Sequence, residues 1–260
     1  MDRNAKKHAV FIDIDGTLLG SSSDAFSENL ATIQKVRSLG HKVFINTGRS
    51  TAYLPERLNT IKNFDGVISG GGAVMRYGDK ELSKKLMPKD LIKRFSQFVW
   101  KHNLDGFLEG LYNMYCFRDY DEALDEIKGF IKLTKDSFDE FLEKDIPIEK
   151  FAIIGEVPEG LEEAMGDDCI VLRFPKYSEV MQKTLGKGKA LVEVIKILDI
   201  PLQNTVAIGD SMNDYEMMTT AGLSVAMGNA SQEVKEIADI ITEDVDKAGV
   251  SVALKKIFNL

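Results

Sequence analysis

Short, wholly apolar runs separated by amphipathic segments constrain this chain more than any other feature. Ala9-Val10-Phe11-Ile12, Val43-Phe44-Ile45 and Val67-Ile68 have no polar face, which suits strands covered on both sides. Between the first two runs, Leu30, Ile33 and Val36 recur at helical spacing, with Ser27 as the expected N-cap and Gly40 as the stop. A short helix near Ala52–Leu58 precedes the third run. Strand alternating with helix predicts a parallel sheet with helices on both faces. The same rhythm returns late in the chain. A helix is expected from Lys187 through Leu198, a strand over Thr205–Ile208 and a helix over Tyr215–Thr220. Strands at Leu223–Ala226 and Ala238–Ile241 and a closing helix, Val250–Phe258, follow.

The middle of the chain breaks that rhythm. Ala73–Met87 reads as a hairpin turning at Gly78-Asp79, and Pro88 opens an amphipathic helix carrying Leu91, Phe95, Phe98 and Val99. Strands are expected over Leu108–Phe117, Phe151–Ile154 and Cys169–Phe174, and helices near Glu122–Leu133 and Leu161–Met165. The expected organisation is an α/β parallel-sheet core, residues 1–82 and 183–260, interrupted by an α+β domain, residues 83–182.

Two acidic strings stand directly after apolar strands. In Asp13-Ile14-Asp15-Gly16-Thr17-Leu18, alternate residues of an extended chain point the same way. Asp13 and Asp15 are therefore expected at the carboxyl end of a parallel strand, where open α/β sheets bind ligands. Carboxylates so close repel unless a cation joins them. Gly209-Asp210-Ser211-Met212-Asn213-Asp214 repeats the arrangement, and hard oxygen donors from two strand ends suit Mg²⁺. Each string alone also fits a solvated strand end or an acidic helix start. Thr47-Gly48-Arg49 supplies a hydroxyl, a backbone N–H and a guanidinium after the second strand, and Lys187 supplies an ammonium. No dinucleotide fingerprint or G-x-x-x-x-G-K-[ST] string occurs.

In this order, D-x-D-G-T, T-G-R, K-G-x-A-L (Lys187 to Leu191) and G-D-x-x-N-D resemble the haloacid dehalogenase-like superfamily. The resemblance covers nearly the whole core. Only about thirty residues separate the first two motifs, too few for a domain of their own, so the large insertion lies between Thr47 and Lys187. That placement, and Ser178-Glu179-Val180-Met181 before Lys187, resemble the Cof-like branch, with an α/β cap on a Rossmann-like core. One departure is Gly71, where that branch usually carries Asn.

The resemblance implies a Mg²⁺-dependent phosphatase with Asp13 as nucleophile and Asp15 as general acid and base. Asp13, the backbone carbonyl of Asp15, and Asp210 would hold the ion, with Asp214 behind them. Thr47, Gly48, Arg49, Lys187 and Asn213 would bind or orient the phosphoryl group. An acid two residues after the nucleophile fits phosphate ester hydrolysis or phosphomutase chemistry. The alternatives are a phosphohexomutase of the phosphomannomutase kind, with Arg118 and Arg173 as candidates for a second phosphate, or a silent phosphate-binding regulatory module.

Composition narrows the partners. The 260 residues carry a net charge of −8, with 44% hydrophobic and 28% charged residues. That balance argues for a globular chain and against nucleic acid or an anionic membrane as main partner. Two cysteines, Cys116 and Cys169, and three scattered histidines make no metal-ligand spacing. Neither a signal segment nor a run of the ~20 apolar residues needed to span a bilayer is legible. The expectation is a cytoplasmic enzyme, monomeric or a weak homodimer, acting on a small phosphorylated metabolite such as a sugar phosphate. Tyr112, Tyr115 and Arg118 are candidates to line its site.

Overall fold

The computed structural model describes residues 6–59, 63–119 and 130–260. Its first stretch contains β1 (Ala9–Ile12), α1 (Ser23–Ser38), β2 (Lys42–Asn46), α2 (Glu56–Asn59), β3 (Gly66–Ser69), β4 (Val74–Tyr77) and β5 (Lys80–Lys84). There follow α3 (Lys89–His102), β6 (Asp105–Gly110), β7 (Met114–Cys116), β8 (Phe130–Lys132), α4 (Lys135–Glu143), β9 (Ile148–Ile154), α5 (Leu161–Met165), β10 (Cys169–Arg173) and β11 (Tyr177–Gln182). The last stretch holds α6 (Lys187–Ile197), β12 (Thr205–Gly209), α7 (Tyr215–Thr220), β13 (Leu223–Ala226), α8 (Gln232–Glu236), β14 (Ile240–Ile241) and α9 (Gly249–Phe258).

The chain divides into two compact units: Met1–Gly48, Thr60–Ser83 and Gly186–Leu260 form one, Arg49–Asn59 and Lys84–Leu185 the other. Residues Arg49–Asn59, expected in the core, thus group with the inserted unit. The physical reason is local: the Thr51 amide and the Ser50 hydroxyl find their partners, Glu149 and Met114, in that unit.

The first unit is built on one sheet of order β14-β13-β12-β1-β2-β3-β4-β5. Its strands are parallel from β14 to β3, and β4 returns antiparallel to β3. Strand β1 is fully buried, pairing Ile12 with Ile208 on one side and Ile45 on the other. Phe11 and Phe44 stack across that register at 5.3 Å. Burying such a side chain contributes about 1.5–3 kcal/mol. From β1 the chain steps one way to β2 and β3; from β12 it steps the other way to β13 and β14. The reversal lies between β1 and β12, so their carboxyl ends flank a crevice suited to a ligand. Helix α1 is capped by Ser22, whose hydroxyl accepts from the Ala25 amide at 3.2 Å, rather than by Ser27. Ser27 lies inside the helix and its hydroxyl donates to the Ser23 carbonyl. The Ser21–Ser23 run offers an earlier cap with acidic Asp24 in the first turn, where the dipole favours it.

The second unit has a six-stranded sheet, order β10-β11-β9-β6-β7-β8, antiparallel except for β7 beside β8. Helices α3, α4 and α5 bury Leu91, Phe95, Phe141 and Leu161 against Leu108, Phe151, Ile153 and Val180 of the sheet. The opposite face carries a small cluster of Phe107, Cys116 and Ala152. The expected helix near Glu122–Leu133 falls mostly outside the described residues; its end, Phe130–Lys132, is strand β8 paired with β7. Among the described residues no helix is long and apolar enough to cross a membrane.

Candidate active site

Strand β1 delivers Asp13 as its first residue past the sheet, with the Asp13 amide donating to the Ile208 carbonyl of β12 at 3.1 Å. The chain then turns sharply: the amides of Thr17, Leu18 and Leu19 all donate to the Ile14 carbonyl. Gly16 makes that turn at φ +75, and a Cβ there would lie 2.8 Å from the Asp210 carboxyl carbon. Only glycine meets both demands. Thr17 donates its hydroxyl to Asp210 Oδ1 at 3.1 Å, and Asn229 donates to the Gly16 carbonyl at 2.8 Å. The Thr17–Asp210 bond spans 193 residues of chain and locks the two acidic strings together.

Asp13, Asp210 and Asp214 each place a carboxylate oxygen within 4.8 Å of the others. Asp15 does not join this trio. Its side chain is exposed, and it acts on the cluster through the field it exerts on Asp210. Asp214 is committed to protein donors: Oδ2 accepts from the Asp210 and Ser211 amides at 3.1 and 3.3 Å, and Oδ1 from Lys187 at 2.6 Å. It braces the acidic loop, while Asp13 and Asp210 stand at the two strand ends.

Lys187, only 4% exposed, donates to Asp13 Oδ1 and Asp214 Oδ1, both at 2.6 Å, and to Asn213 Oδ1 at 3.3 Å. Asn213 also accepts from the Ser211 hydroxyl. The start of α6 that carries the lysine is held by Asn46, whose amide donates to the Lys187 carbonyl at 3.0 Å. Burial works against the ammonium, but Asp13 and Asp214 outweigh it and hold its pKa above the ordinary lysine range. Burial, then Asp214, push the Asp13 carboxyl upward against the pull of Lys187. Burial and Asp214 likewise push Asp210 up to about 6. Asp13 and Asp214 share one ammonium and Asp210 stands beside them, so carboxylates outnumber the cation at the site. Hard oxygen donors in that state fit a divalent cation such as Mg²⁺.

Thr47 is buried at the carboxyl end of β2; its amide donates to the Ile68 carbonyl and its carbonyl accepts from the Gly71 amide. Gly71 itself sits at φ +61, a left-handed conformation that Asn also tolerates. Gly48 ends the first segment of the first unit. Arg49 belongs to the second, where its guanidinium lies 4.7 Å from the Tyr53 ring centre and donates to the Tyr53 carbonyl. The structure therefore brings Asp13, Asp210, Asp214, Lys187 and Asn213 together directly, whereas Arg49 is held by a different unit. Thr17, Asn46 and Asn229 escape sequence reasoning; the only signal for Thr17 is its place inside the first acidic string. In the second unit, Arg118 pairs with Asp105 at 3.0 Å and Arg173 forks onto Glu162 at 2.8 and 3.0 Å. Tyr115 is buried against Phe141, and Tyr112 is exposed.

Residues 10–254 match the family model of the haloacid dehalogenase-like hydrolases. Phosphatase YwpJ of Bacillus subtilis is 29% identical over 95% of this chain and 98% of its own length. The 5-amino-6-(5-phospho-D-ribitylamino)uracil phosphatase YcsE of the same organism is 31% identical over 95% and 94%. Among solved structures, the subclass IIB sugar phosphatase BT4131 superposes with a TM-score of 0.81 at 26% identity, covering 98% of this chain and all of its own. The chain thus belongs to the haloacid dehalogenase-like hydrolases, in their Cof-like branch, and is a phosphoric monoester hydrolase.

Proposed function

We propose that this enzyme hydrolyses a small polyol or sugar phosphate in a Mg²⁺-dependent reaction that passes through an aspartyl-phosphate on Asp13. The observation that carries the reading is the cluster of Asp13, Asp210 and Asp214 beside Lys187, whose ammonium pairs with Asp13 and Asp214. A carboxylate oxygen of Asp13 attacks phosphorus, and the P–O ester bond breaks in line. Asp15 gives its proton to the departing alkoxide. It then takes one from the water that attacks the aspartyl-phosphate, releasing inorganic phosphate and restoring Asp13. Exposure suits Asp15 to this exchange, since it must meet both leaving alcohol and incoming water.

Asp13, the Asp15 carbonyl and Asp210 would hold Mg²⁺, which when bound screens the nucleophile from the phosphate and stabilises charge on the transferring group. Lys187 neutralises phosphoryl oxygens, with Asn213 and Asp214 fixing its ammonium. Thr47, Gly48 and Arg49 supply further donors to the phosphate. Two relatives support the substrate class: one is named for a phosphoribitylamino compound and one is a sugar phosphatase. The mutase alternative loses support, because Arg118 and Arg173 are each already paired with a carboxylate. The test is phosphate release from a panel of sugar and polyol phosphates, with Mg²⁺ and with chelator, in the native enzyme and Asp13→Asn. Turnover is expected only in the native enzyme with metal; full activity in Asp13→Asn refutes the mechanism.

A further inference from the structure

The peptide bond between Lys187 and Gly188 is gripped at both ends by side chains from other elements. Asn46, the last residue of β2, donates from Nδ2 to the Lys187 carbonyl at 3.0 Å. Glu216, in the first turn of α7, accepts from the Gly188 amide at 3.3 Å. All four residues belong to the first unit. Lys187 opens α6, and the helix ladder itself supplies its carbonyl with a donor, so the Asn46 bond is additional. Asn46 is an expensive residue to place there. It has no exposed surface, it follows the apolar run Val43-Phe44-Ile45, and its Oδ1 has no partner among the described residues. A buried acceptor left unmet is destabilising, whereas an apolar group of the same shape is commonly neutral or better. The other neighbour of Nδ2 is the soft Met217 Sδ at 3.2 Å, so the bond to Lys187 is the strong one. Glu216 completes the grip. The N-cap of α6 is Gly186, which has no side chain to offer the first-turn amides, and Glu216 supplies an acceptor from the neighbouring helix. The approach is close: a Cβ on Gly188 would lie 2.7 Å from both Cγ and the carbonyl oxygen of Glu216. The residue fixed in this way carries the ammonium that joins Asp13 to Asp214.

We propose that Asn46 and Glu216 are positioning residues for phosphoryl transfer: by holding the peptide between Lys187 and Gly188 they set where the Lys187 ammonium stands between the nucleophile and the acidic loop. This rests on Lys187 acting on the phosphoryl group, as argued above. Both act through Lys187, so their effect belongs to the chemical step and vanishes when the ammonium is removed.

The experiment uses the full-length enzyme with Mg²⁺ and p-nitrophenyl phosphate. Asn46→Leu keeps the side-chain shape and removes both the donor and the unmet acceptor. Its melting temperature should equal or exceed that of the native enzyme. Its kcat should fall by about 10- to 100-fold, the range expected for an ångström-scale misplacement, with KM within about threefold, because the ammonium acts on charge that develops in the transition state. A merely structural role predicts the reverse, a lower melting temperature with kcat kept. Glu216→Ala should also lower kcat, and Glu216→Gln, which keeps an acceptor for the Gly188 amide, should stay within about threefold of the native enzyme. That pair carries the test even if Asn46→Leu folds poorly. The deciding readout is a double-mutant cycle with Lys187→Met: once the ammonium is gone, Asn46→Leu should cost less than about twofold more. Independent, multiplying losses overturn the proposal, as do native kcat in Asn46→Leu and a Glu216→Gln enzyme as impaired as Glu216→Ala. Failure of the underlying reading would show elsewhere, as native turnover in Lys187→Met or in Asp13→Asn.

Discussion

Lys187→Met offers the sharpest test of the electrostatics, because it removes the ammonium that Asp13 and Asp214 share while nearly preserving side-chain length. The native ammonium is 4% exposed and lies 2.6 Å from oxygens of both Asp13 and Asp214. Breaking a buried pair by removing one partner costs about 3–5 kcal/mol. The two pairs share one cation, so the losses do not add, and the variant relieves part of the strain by taking up a proton. Asp13 is already pushed up by burial and Asp214 with Lys187 in place, so without it the carboxyl is protonated at neutral pH. The sign follows: a carboxyl whose folded pKa lies above its unfolded value of about 3.9 binds more protons folded than unfolded, so stability falls as pH rises between the two. The variant's own stability should therefore rise as pH drops, by about 1.4 kcal/mol per pH unit while one such carboxyl takes up its proton. Mg²⁺ should act in the opposite way on binding and on catalysis. With the competing ammonium gone, the ion stabilises the variant more than the native enzyme, while phosphate turnover falls by about 10²-fold or more. Urea unfolding between pH 5 and 8, with and without MgCl₂, reads the first two effects, and kcat/KM the third. A variant whose stability is independent of pH, or Mg²⁺ that stabilises the variant no better than the native enzyme, would refute the shared-cation account.

Mg²⁺ affinity of the native enzyme should fall by at least about tenfold per pH unit below pH 6, since Asp210, pushed up to about 6, must lose its proton to bind the ion and the Asp13 carboxyl is pushed up as well; calorimetric titration finding a flat affinity from pH 5 to 6 would exclude Asp210 as a ligand. Gly16→Ala should lower stability by about 1–2 kcal/mol through its φ of +75 and weaken Mg²⁺ binding by displacing Asp210; thermal melts and metal titration separate the two, and unchanged metal affinity refutes the second. His41 is buried against Phe258 and His8, and burial lowers its pKa to about 4. The unfolded chain then takes up a proton before the folded one does, so stability should fall by about 1.4 kcal/mol per unit as pH drops from 6.5 to 4. His41→Asn should flatten that slope, and an unaltered slope would assign the acid sensitivity elsewhere.

Legibility in the sequence tracks how local each interaction is. The apolar runs of β1, β2 and β12 announce a parallel sheet because burial on both faces leaves no polar positions, and the aspartates that follow them mark the ligand end at once. Lys187 and Asn213 were legible only as members of ordered strings. What was hidden depends on partners distant in the chain. Asn229 reads as an ordinary loop residue, yet it bonds the Gly16 carbonyl and the Val245 amide and so supports the nucleophile turn from 213 residues away. Ser27 misleads for the opposite reason: its composition suits a cap, but the Ser22 hydroxyl is already placed on the first turn.

The most instructive failure is β9. Read by periodicity, Ile148-Glu149-Lys150-Phe151-Ala152-Ile153-Ile154 begins as a strand only at Phe151, because two adjacent charges normally lie in solvent. The strand in fact starts at Ile148, and both charges are buried, each with a named partner: Thr51 for Glu149, Glu109 and Glu179 for Lys150. Pattern rules assume that a charged side chain follows water. They fail where the protein itself replaces the water, and such replacement is costly enough to suggest a task. In the first unit the same departure from pattern, a buried lysine between buried aspartates, marks the proposed site of phosphoryl transfer. The second unit repeats the pattern with a buried lysine, Lys150, paired with Glu109 and Glu179, and there too the partners are separated in the chain, which is why neither cluster shows in a local reading of the sequence.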